Sequence, residues 1–120
     1  MAATVTPNAL FVYGTLMRDR SNHARIQLAI RIEPATVRGL LVGLPEGYPA
    51  LIDGEGIVHG ELAFFDDLGA ILPDLDEYEG ALYRRIRCEA TTRDGERHQA
   101  WVYAIAAIPS GAWPIPSGRW

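Results

Sequence analysis

The sequence contains no lysine, because all 11 of its basic residues are arginines. A Schiff-base lysine and a P-loop lysine are therefore excluded as the basis of its chemistry. It also contains a single cysteine, Cys88, so it can form neither an intrachain disulfide nor a zinc site built from cysteines. A lone thiol is compatible with a reducing cytoplasm, which is the location we expect.

Long hydrophobic runs are also absent from the chain. The longest apolar stretch, residues 100–108, is far too short to span a bilayer. The first eight residues lack the basic start and the apolar segment of a signal peptide. The formal net charge of −4 argues against a surface that binds nucleic acid or an anionic membrane. We therefore expect neither of these partners, and the sequence indicates no particular oligomeric state.

The alternation of apolar segments and turn residues predicts an α+β fold in which strands dominate. Residues 1–120 are expected to form a single domain, with residues 1–8 as a loose tail. The glycine-rich residues 53–56 are predicted to form a turn, and Asp94-Gly95 a hairpin. Strands are predicted over residues 10–13, 36–44, 50–52, 57–65, 85–92 and 97–105. These mostly local hairpins favour a small mixed, strongly curved sheet or a barrel-like domain.

Two short helical regions complete the predicted fold. A Ser-Asn pair provides a candidate cap for a helix over residues 21–30. The paired aspartates of residues 66–67 are candidate N-caps of a second region, which Pro73 divides into two short pieces. The second piece ends at Glu79, directly before Gly80, and glycine is the usual residue at a helix stop.

Two segments are the best candidates for a site. The first is Phe-Val-Tyr-Gly-Thr-Leu at residues 11–16, where Gly14 is expected to take a positive φ and bring bare backbone close to a ligand. The second contains Glu79, whose carboxylate meets the negative end of the helix dipole, so we expect its pKa to be raised. Two alternatives stay open at this point. The first segment could be a plain tight turn, and Glu79 a surface residue.

Other reactive side chains favour structural explanations. The histidines His23, His59 and His98 lie on three different predicted elements, and no pair has the spacing of metal ligands. Cys88 lies on the apolar side of an alternating strand, with Ile86 and Ala90, which predicts a buried and unreactive thiol. The sequence therefore predicts neither a metal site nor a cofactor.

Taken together, short motifs in a fixed order resemble the gamma-glutamylcyclotransferase-like family, and within it the gamma-glutamylamine cyclotransferase or AIG2-like branch. The resemblance spans roughly residues 10–120, nearly the whole chain. The residues that carry it are Val12-Tyr13-Gly14-Thr15-Leu16, Gly47-Tyr48-Pro49-Ala50, Val58-His59-Gly60-Glu61-Leu62, Leu75-Asp76-Glu77-Tyr78-Glu79-Gly80, Tyr83-Arg84-Arg85, Ala100-Trp101-Val102-Tyr103 and Ile115-Pro116-Ser117-Gly118-Arg119-Trp120.

The resemblance implies a small barrel-like domain with a cavity at one end, and cleavage of a γ-glutamyl amide. In that reaction the substrate's own α-amine attacks its γ-carbonyl, which yields 5-oxoproline and a free amine. The family's catalytic glutamate falls on Glu79, and its binding loop on Tyr13, Gly14, Thr15 and Leu16.

The resemblance implies no metal and no organic cofactor, and the reaction itself needs no nucleophile from the protein. Tyr13 and Tyr103 are expected to line the pocket and donate hydrogen bonds. Backbone N–H groups of residues 14–16 are expected to bind the substrate carboxylate or the developing oxyanion. Two alternatives accompany this hypothesis, namely a non-catalytic small-molecule binding domain and removal of a γ-glutamyl group from a larger acylated metabolite.

Overall fold

Six strands, a 3₁₀ turn and an α-helix are formed by the part of the chain that this computed structural model describes, residues 7–14, 26 and 28–120. In chain order they are β1 (Ala9–Val12), β2 (Arg31–Gly43), β3 (Pro49–Phe64), the 3₁₀ turn (Leu68–Ala70), α1 (Leu72–Glu79), β4 (Arg84–Thr92), β5 (Arg97–Ala104) and β6 (Trp113–Pro114).

The sheet closes on itself. Its strands run in the order β3-β1-β5-β4-β2-β6, and β3 also pairs with β2, so five strands form a barrel with β6 added at its edge. The β1–β5 pair is parallel, and the other recorded pairs are antiparallel. This architecture confirms the predicted α+β, barrel-like fold.

β1 lies at the centre of the structure because both of its faces are apolar. Ala9 and Phe11 point into the barrel, whereas Leu10 and Val12 pack in a second cluster with the helix residue Leu75. β5 pairs with β1 on one side and with β4 on the other, and its residues Ala100, Val102 and Tyr103 are buried.

The predicted turn at residues 53–56 was wrong, because this segment lies inside the continuous strand β3. The two glycines accommodate a neighbouring side chain. A Cβ at Gly54 would lie 2.7 Å from Cδ1 of Leu40, and one at Gly56 would lie 3.0 Å from Cδ2 of the same residue. The β2–β3 register shifts at Gly39, between Arg38 and Leu40.

The segments around the helices needed two corrections. The expected loose tail is anchored at residues 7–8, where Pro7 is buried and the Asn8 side chain accepts a hydrogen bond from the Leu68 amide at 3.2 Å. Asn8 thus caps the first N–H group of the 3₁₀ turn, whereas Asp67, the predicted cap, makes no side-chain capping bond. The division near Pro73 is confirmed by the separate 3₁₀ turn and α1. The helix predicted over residues 21–30 falls largely outside the described residues.

The barrel is opened along one side, where β4 and β2 diverge. Their ladder consists of Ala35 opposite Thr92 and Thr36 opposite Thr91. Beyond it lies a groove of about 670 Å³, lined largely by apolar side chains of β2, β3, β4 and β5. Ile86 sits on the predicted inner face but is 43% exposed, because it borders this groove.

Candidate active site

A small cavity lies at the end of the barrel where β1 and β5 finish and where β3 and β4 begin. Its volume is about 220 Å³. The end of α1 closes one side and the β2–β3 turn another. The lining residues are Phe11, Val12, Tyr13, Gly14, Tyr48, Pro49, Tyr78, Glu79, Tyr83 and Tyr103. Four residues expected in the site from sequence, Tyr13, Gly14, Glu79 and Tyr103, are therefore brought together here.

Glu79 is the last residue of α1 and is half-buried against the cavity. Gly80 follows with φ of 76° and ψ of −170°, so the predicted positive φ is present but the conformation is not the left-handed helical one. The amide of Gly80 donates to the carbonyl of Asp76 at 3.1 Å, which ends the helix. The raised pKa expected for Glu79 stays a prediction.

Burial and the negative charge of Glu79 both raise the pKa values of tyrosines in this cavity. Burial is the main cause that raises the pKa of Tyr83 to about 12, and the Glu79 carboxylate adds to it. Burial also raises the pKa values of Tyr13 and Tyr103, with a smaller contribution from Glu79 in each case. These phenols are therefore neutral at physiological pH, and each carries one proton to donate.

The proton of Tyr13 is not available to a ligand. Its buried hydroxyl donates to the carbonyl oxygen of Tyr103 at 2.6 Å and accepts the amide N–H of Leu51 at 3.1 Å. Tyr13 thereby ties β5 to β3 beneath the cavity. Tyr13 does line the cavity and donate a hydrogen bond, but the acceptor that the structure shows is the protein backbone.

Tyr83 and Tyr103 also donate their protons to protein acceptors. The Tyr83 hydroxyl donates to the carbonyl oxygen of Pro49 at 2.6 Å, and the Tyr103 hydroxyl donates to Oδ1 of Asp76 at 2.6 Å. Since each phenol has one proton, the oxygens of these two residues offer lone pairs to any further partner. Together with the carboxylate of Glu79, they form an acceptor-rich lining that suits an ammonium group.

Gly14 does not adopt the predicted positive φ. Its lack of a side chain serves a close contact instead, because a Cβ at this position would lie 2.9 Å from Cγ of Pro49, which also lines the cavity. The other two members of the predicted binding loop, Thr15 and Leu16, fall outside the described residues. Their proposed use of backbone N–H groups stays a prediction.

Reactive groups elsewhere in the described residues do not assemble a second centre. No group of three or more His, Cys, Asp or Glu side chains within residues 7–14, 26 and 28–120 is arranged to hold a metal ion. Burial raises the pKa of the Cys88 thiol to about 12, as its place on an apolar strand face suggested. No helix in the described part of the chain is long and apolar enough to cross a membrane.

Sequence reasoning missed most of the site's supporting residues. Tyr48, Tyr78 and Tyr83 line the cavity, and Asp76 and Arg85 hold the Tyr103 hydroxyl from outside it. A signal for three of them was present, because Asp76, Tyr78 and Tyr83 lie within seven residues of one another around Glu79. The partners of Asp76 and Tyr83, however, include Tyr103 and Pro49, which lie on strands that the local pattern does not reveal.

A family model and a similar protein sequence both indicate the same family. Residues 10–120 match the family model described as gamma-glutamyl cyclotransferase, AIG2-like. Over 104 residues the chain is 34% identical to the gamma-L-glutamyl-butirosin B gamma-glutamyl cyclotransferase of Niallia circulans. That match covers 81% of this chain and 65% of the relative, so the chain spans just under two thirds of that relative's length.

Solved structures share the same fold. The Bacillus subtilis protein YkqA superimposes with a TM-score of 0.74 at 28% identity, over 96% of this chain and 40% of its own. An AIG2-like protein of Mus musculus superimposes with a TM-score of 0.75 at 22% identity, over 94% of this chain and 87% of its own. The second likeness supports the barrel architecture alone.

Proposed function

This chain belongs to the gamma-glutamyl cyclotransferase, AIG2-like family, and we propose that it cleaves a γ-glutamyl amide or amine to 5-oxoproline and a free amine, acting in the cytoplasm. The observation that carries the proposal is the small cavity that Glu79 lines together with Tyr83 and Tyr103, whose hydroxyl protons are donated to protein acceptors. An acceptor-rich lining of this kind binds the α-ammonium of a glutamyl group.

The reaction requires little from the protein beyond geometry and proton transfer. The bond from the substrate's α-nitrogen to its γ-carbonyl carbon forms as the bond from that carbonyl carbon to the amine nitrogen breaks, so no water or protein nucleophile is consumed. Because ring closure is intramolecular, holding a productive conformer lowers much of the barrier. The rigid tyrosine frame around the cavity is suited to that task.

Glu79 is proposed as the single acid–base group. Its carboxylate takes a proton from the α-ammonium, which frees the nitrogen lone pair for attack, and then returns that proton to the departing amine. The charge that develops on the carbonyl oxygen needs a donor. We assign that role to the N–H groups of residues 14–16, of which Gly14 lines the cavity.

The size of the cavity bears on the substrate. A volume of about 220 Å³ lies below the roughly 300–1,000 Å³ of pockets that enclose drug-sized ligands. The cavity therefore suits the γ-glutamyl group alone, with the leaving amine directed past the exposed rim residue Tyr48. On this basis amines of different size should be tolerated, including those on larger metabolites.

The test is a matched pair of substrates. A γ-glutamyl alkylamide with a free α-amine is expected to release 5-oxoproline, whereas its N-acetylated counterpart has no basic α-nitrogen and is expected to be inert. Product is identified by mass spectrometry against a blank without enzyme. Turnover of both compounds to glutamate derivatives would show hydrolysis and reject the mechanism. Binding of the free-amine compound without any turnover would instead identify a binding domain.

A further inference from the structure

We infer that Asp76 is a positioning residue of the proposed reaction, because it holds the Tyr103 hydroxyl proton away from the cavity and so keeps the Tyr103 oxygen as an acceptor for the substrate's α-ammonium. The inference rests on the proposed function and deepens it. Asp76 does not line the cavity, whereas Tyr103 does.

The placement of the proton follows from the partners of Asp76. Oδ1 of Asp76 accepts from Nε of Arg85 at 2.9 Å and from the Tyr103 hydroxyl at 2.6 Å, while Oδ2 accepts from Nη2 of Arg85 at 3.2 Å. A guanidinium can only donate, and an ionised carboxylate can only accept. The hydrogen bond between Tyr103 and Asp76 must therefore use the phenol's own proton.

The ionised state of Asp76 is itself secured by this arrangement. The hydrogen bond from Arg85 is the main reason that the pKa of Asp76 is lowered, and the Tyr103 hydroxyl lowers it further. Arg85 is in turn fixed in place. Its guanidinium lies 4.5 Å from the centre of the Trp101 ring, and it sits directly opposite Tyr103 across the β4–β5 ladder.

The same contact fixes the position of Glu79. Asp76 and Glu79 are three residues apart on α1, so they lie on neighbouring positions of one helix face. The bonds from Asp76 to Arg85 and Tyr103 therefore attach the last turn of α1 to β4 and β5. One residue outside the cavity thus sets both the direction of the Tyr103 proton and the place of the carboxylate.

Loss of Asp76 should then change what the cavity recognises. Without its acceptor, the Tyr103 hydroxyl can turn its proton toward the ammonium, where a donor opposes a donor. We expect Asp76→Ala and Tyr103→Phe each to raise the KM for a free-amine substrate about 10- to 100-fold, the range for one hydrogen bond to a charged group. Asp76→Asn, which retains an oxygen for Tyr103 and Arg85, should recover part of that loss.

The experiment measures kcat and KM for these three variants, for the double variant Asp76→Ala/Tyr103→Phe and for the control Asp74→Ala. Asp74 is an exposed residue of the same helix. If Asp76 orients the Tyr103 proton, the KM of the double variant should equal that of Tyr103→Phe alone, and any loss that arises from a shift of Glu79 should appear in kcat. If the increases in KM of the two single variants add in the double variant and accompany a lower melting temperature, the inference is overturned and Asp76 has a purely structural role.

A binding measurement separates this inference from the proposed function. In a Glu79→Gln background, calorimetry compares γ-glutamyl-n-butylamide with its N-acetyl counterpart. We expect preference for the free amine, and we expect Asp76→Ala to reduce that preference about 10-fold or more. If the natural chain shows no cyclisation but this preference and its loss are present, the proposed function fails and the positioning role stands. An unchanged preference in Asp76→Ala overturns the positioning role.

Discussion

Two openings of the barrel differ in size and in chemistry, and we propose that the smaller one is the active site. The groove between β2 and β4 is about three times the volume of the cavity, at about 670 Å³ against about 220 Å³. Its walls are largely strand side chains such as Val37, Leu51 and Val102, with arginines and two acidic residues among them. The cavity instead gathers Glu79 and several tyrosines. Volume alone would therefore favour the groove, whereas the polar groups favour the cavity.

The difference lies in how polar groups are held. In the cavity, the hydroxyls of Tyr13, Tyr83 and Tyr103 are each bonded to a defined acceptor at 2.6 Å, so their remaining lone pairs have fixed directions. Preorganised groups of this kind need no rearrangement when charge moves in a reaction. The groove lies where the short ladder between β2 and β4 ends and the two strands diverge, and such a feature needs no chemical function.

The largest effect is expected for Glu79→Gln, which keeps the shape of the side chain but removes the proton shuttle. Turnover should fall by about 10²- to 10⁴-fold or more, while circular dichroism shows an unchanged fold. Glu77→Gln, an exposed neighbour on the same helix, is the matched control and should retain nearly full turnover. A folded Glu79→Gln protein with near-normal kcat would remove Glu79 from the mechanism.

The next effect is expected for Gly14→Val. The new side chain would press on Pro49, since a Cβ at Gly14 would lie only 2.9 Å from Cγ of that proline, so the cavity wall must shift. Overpacking of this kind costs about 1–3 kcal/mol, and we expect KM to rise roughly 10-fold or more. The control is Gly69→Ala, whose nearest neighbour would lie at 3.6 Å.

Steady-state kinetics and thermal unfolding of both glycine variants decide this prediction. The loss of substrate binding in Gly14→Val should exceed its loss of stability. A melting temperature that drops sharply while KM stays normal would show that Gly14 serves packing and not the cavity.

A smaller effect is expected for Tyr83→Phe. The substitution removes the proton that reaches the Pro49 carbonyl and leaves that acceptor without this partner. We expect a stability loss of about 1 kcal/mol, measured by chemical denaturation, and a reduction in kcat/KM of about 10-fold or less. Full activity at unchanged stability would show that the Tyr83 oxygen contributes nothing to the proposed ammonium site.

The smallest effect is expected at the groove. Burial raises the pKa of Cys88 to about 12, so its thiol stays protonated well above physiological pH and should react slowly with alkylating reagents until the pH approaches that value.

Ile86→Ser should make the groove more polar yet leave kcat and KM within about 2-fold of the natural chain, since a surface substitution of this kind changes little. A large loss of turnover in Ile86→Ser would reverse the comparison between the two openings.

Sequence alone was sufficient for the barrel-like class and for several members of the site. Short motifs around Tyr13 and Glu79 pointed to residues that the fold does bring together, because local turns and helix ends follow local rules. Gly54 and Gly56 led to the wrong prediction of a turn, since glycine is equally typical of a turn and of a close approach between chain segments. Here the close approach is that of the Leu40 side chain, which comes from another strand.

The hydrogen-bond directions could not be predicted from sequence. Tyr13 and Tyr103 were expected to donate hydrogen bonds, and the sequence did not identify their acceptors, which are the Tyr103 carbonyl oxygen and Asp76 respectively. Those acceptors lie 90 and 27 residues away along the chain. Only the closed barrel places them within reach, so the acceptor-rich character of the cavity is a property of tertiary structure.

The central claim is that the substrate's own amine, and not water, attacks the γ-carbonyl inside the small cavity. The most direct test runs the reaction of a free-amine γ-glutamyl amide in H₂¹⁸O and analyses the product by mass spectrometry. The account predicts 5-oxoproline with no ¹⁸O, at a rate that Glu79→Gln abolishes and Ile86→Ser does not change. Glutamate carrying ¹⁸O in its γ-carboxylate would contradict it.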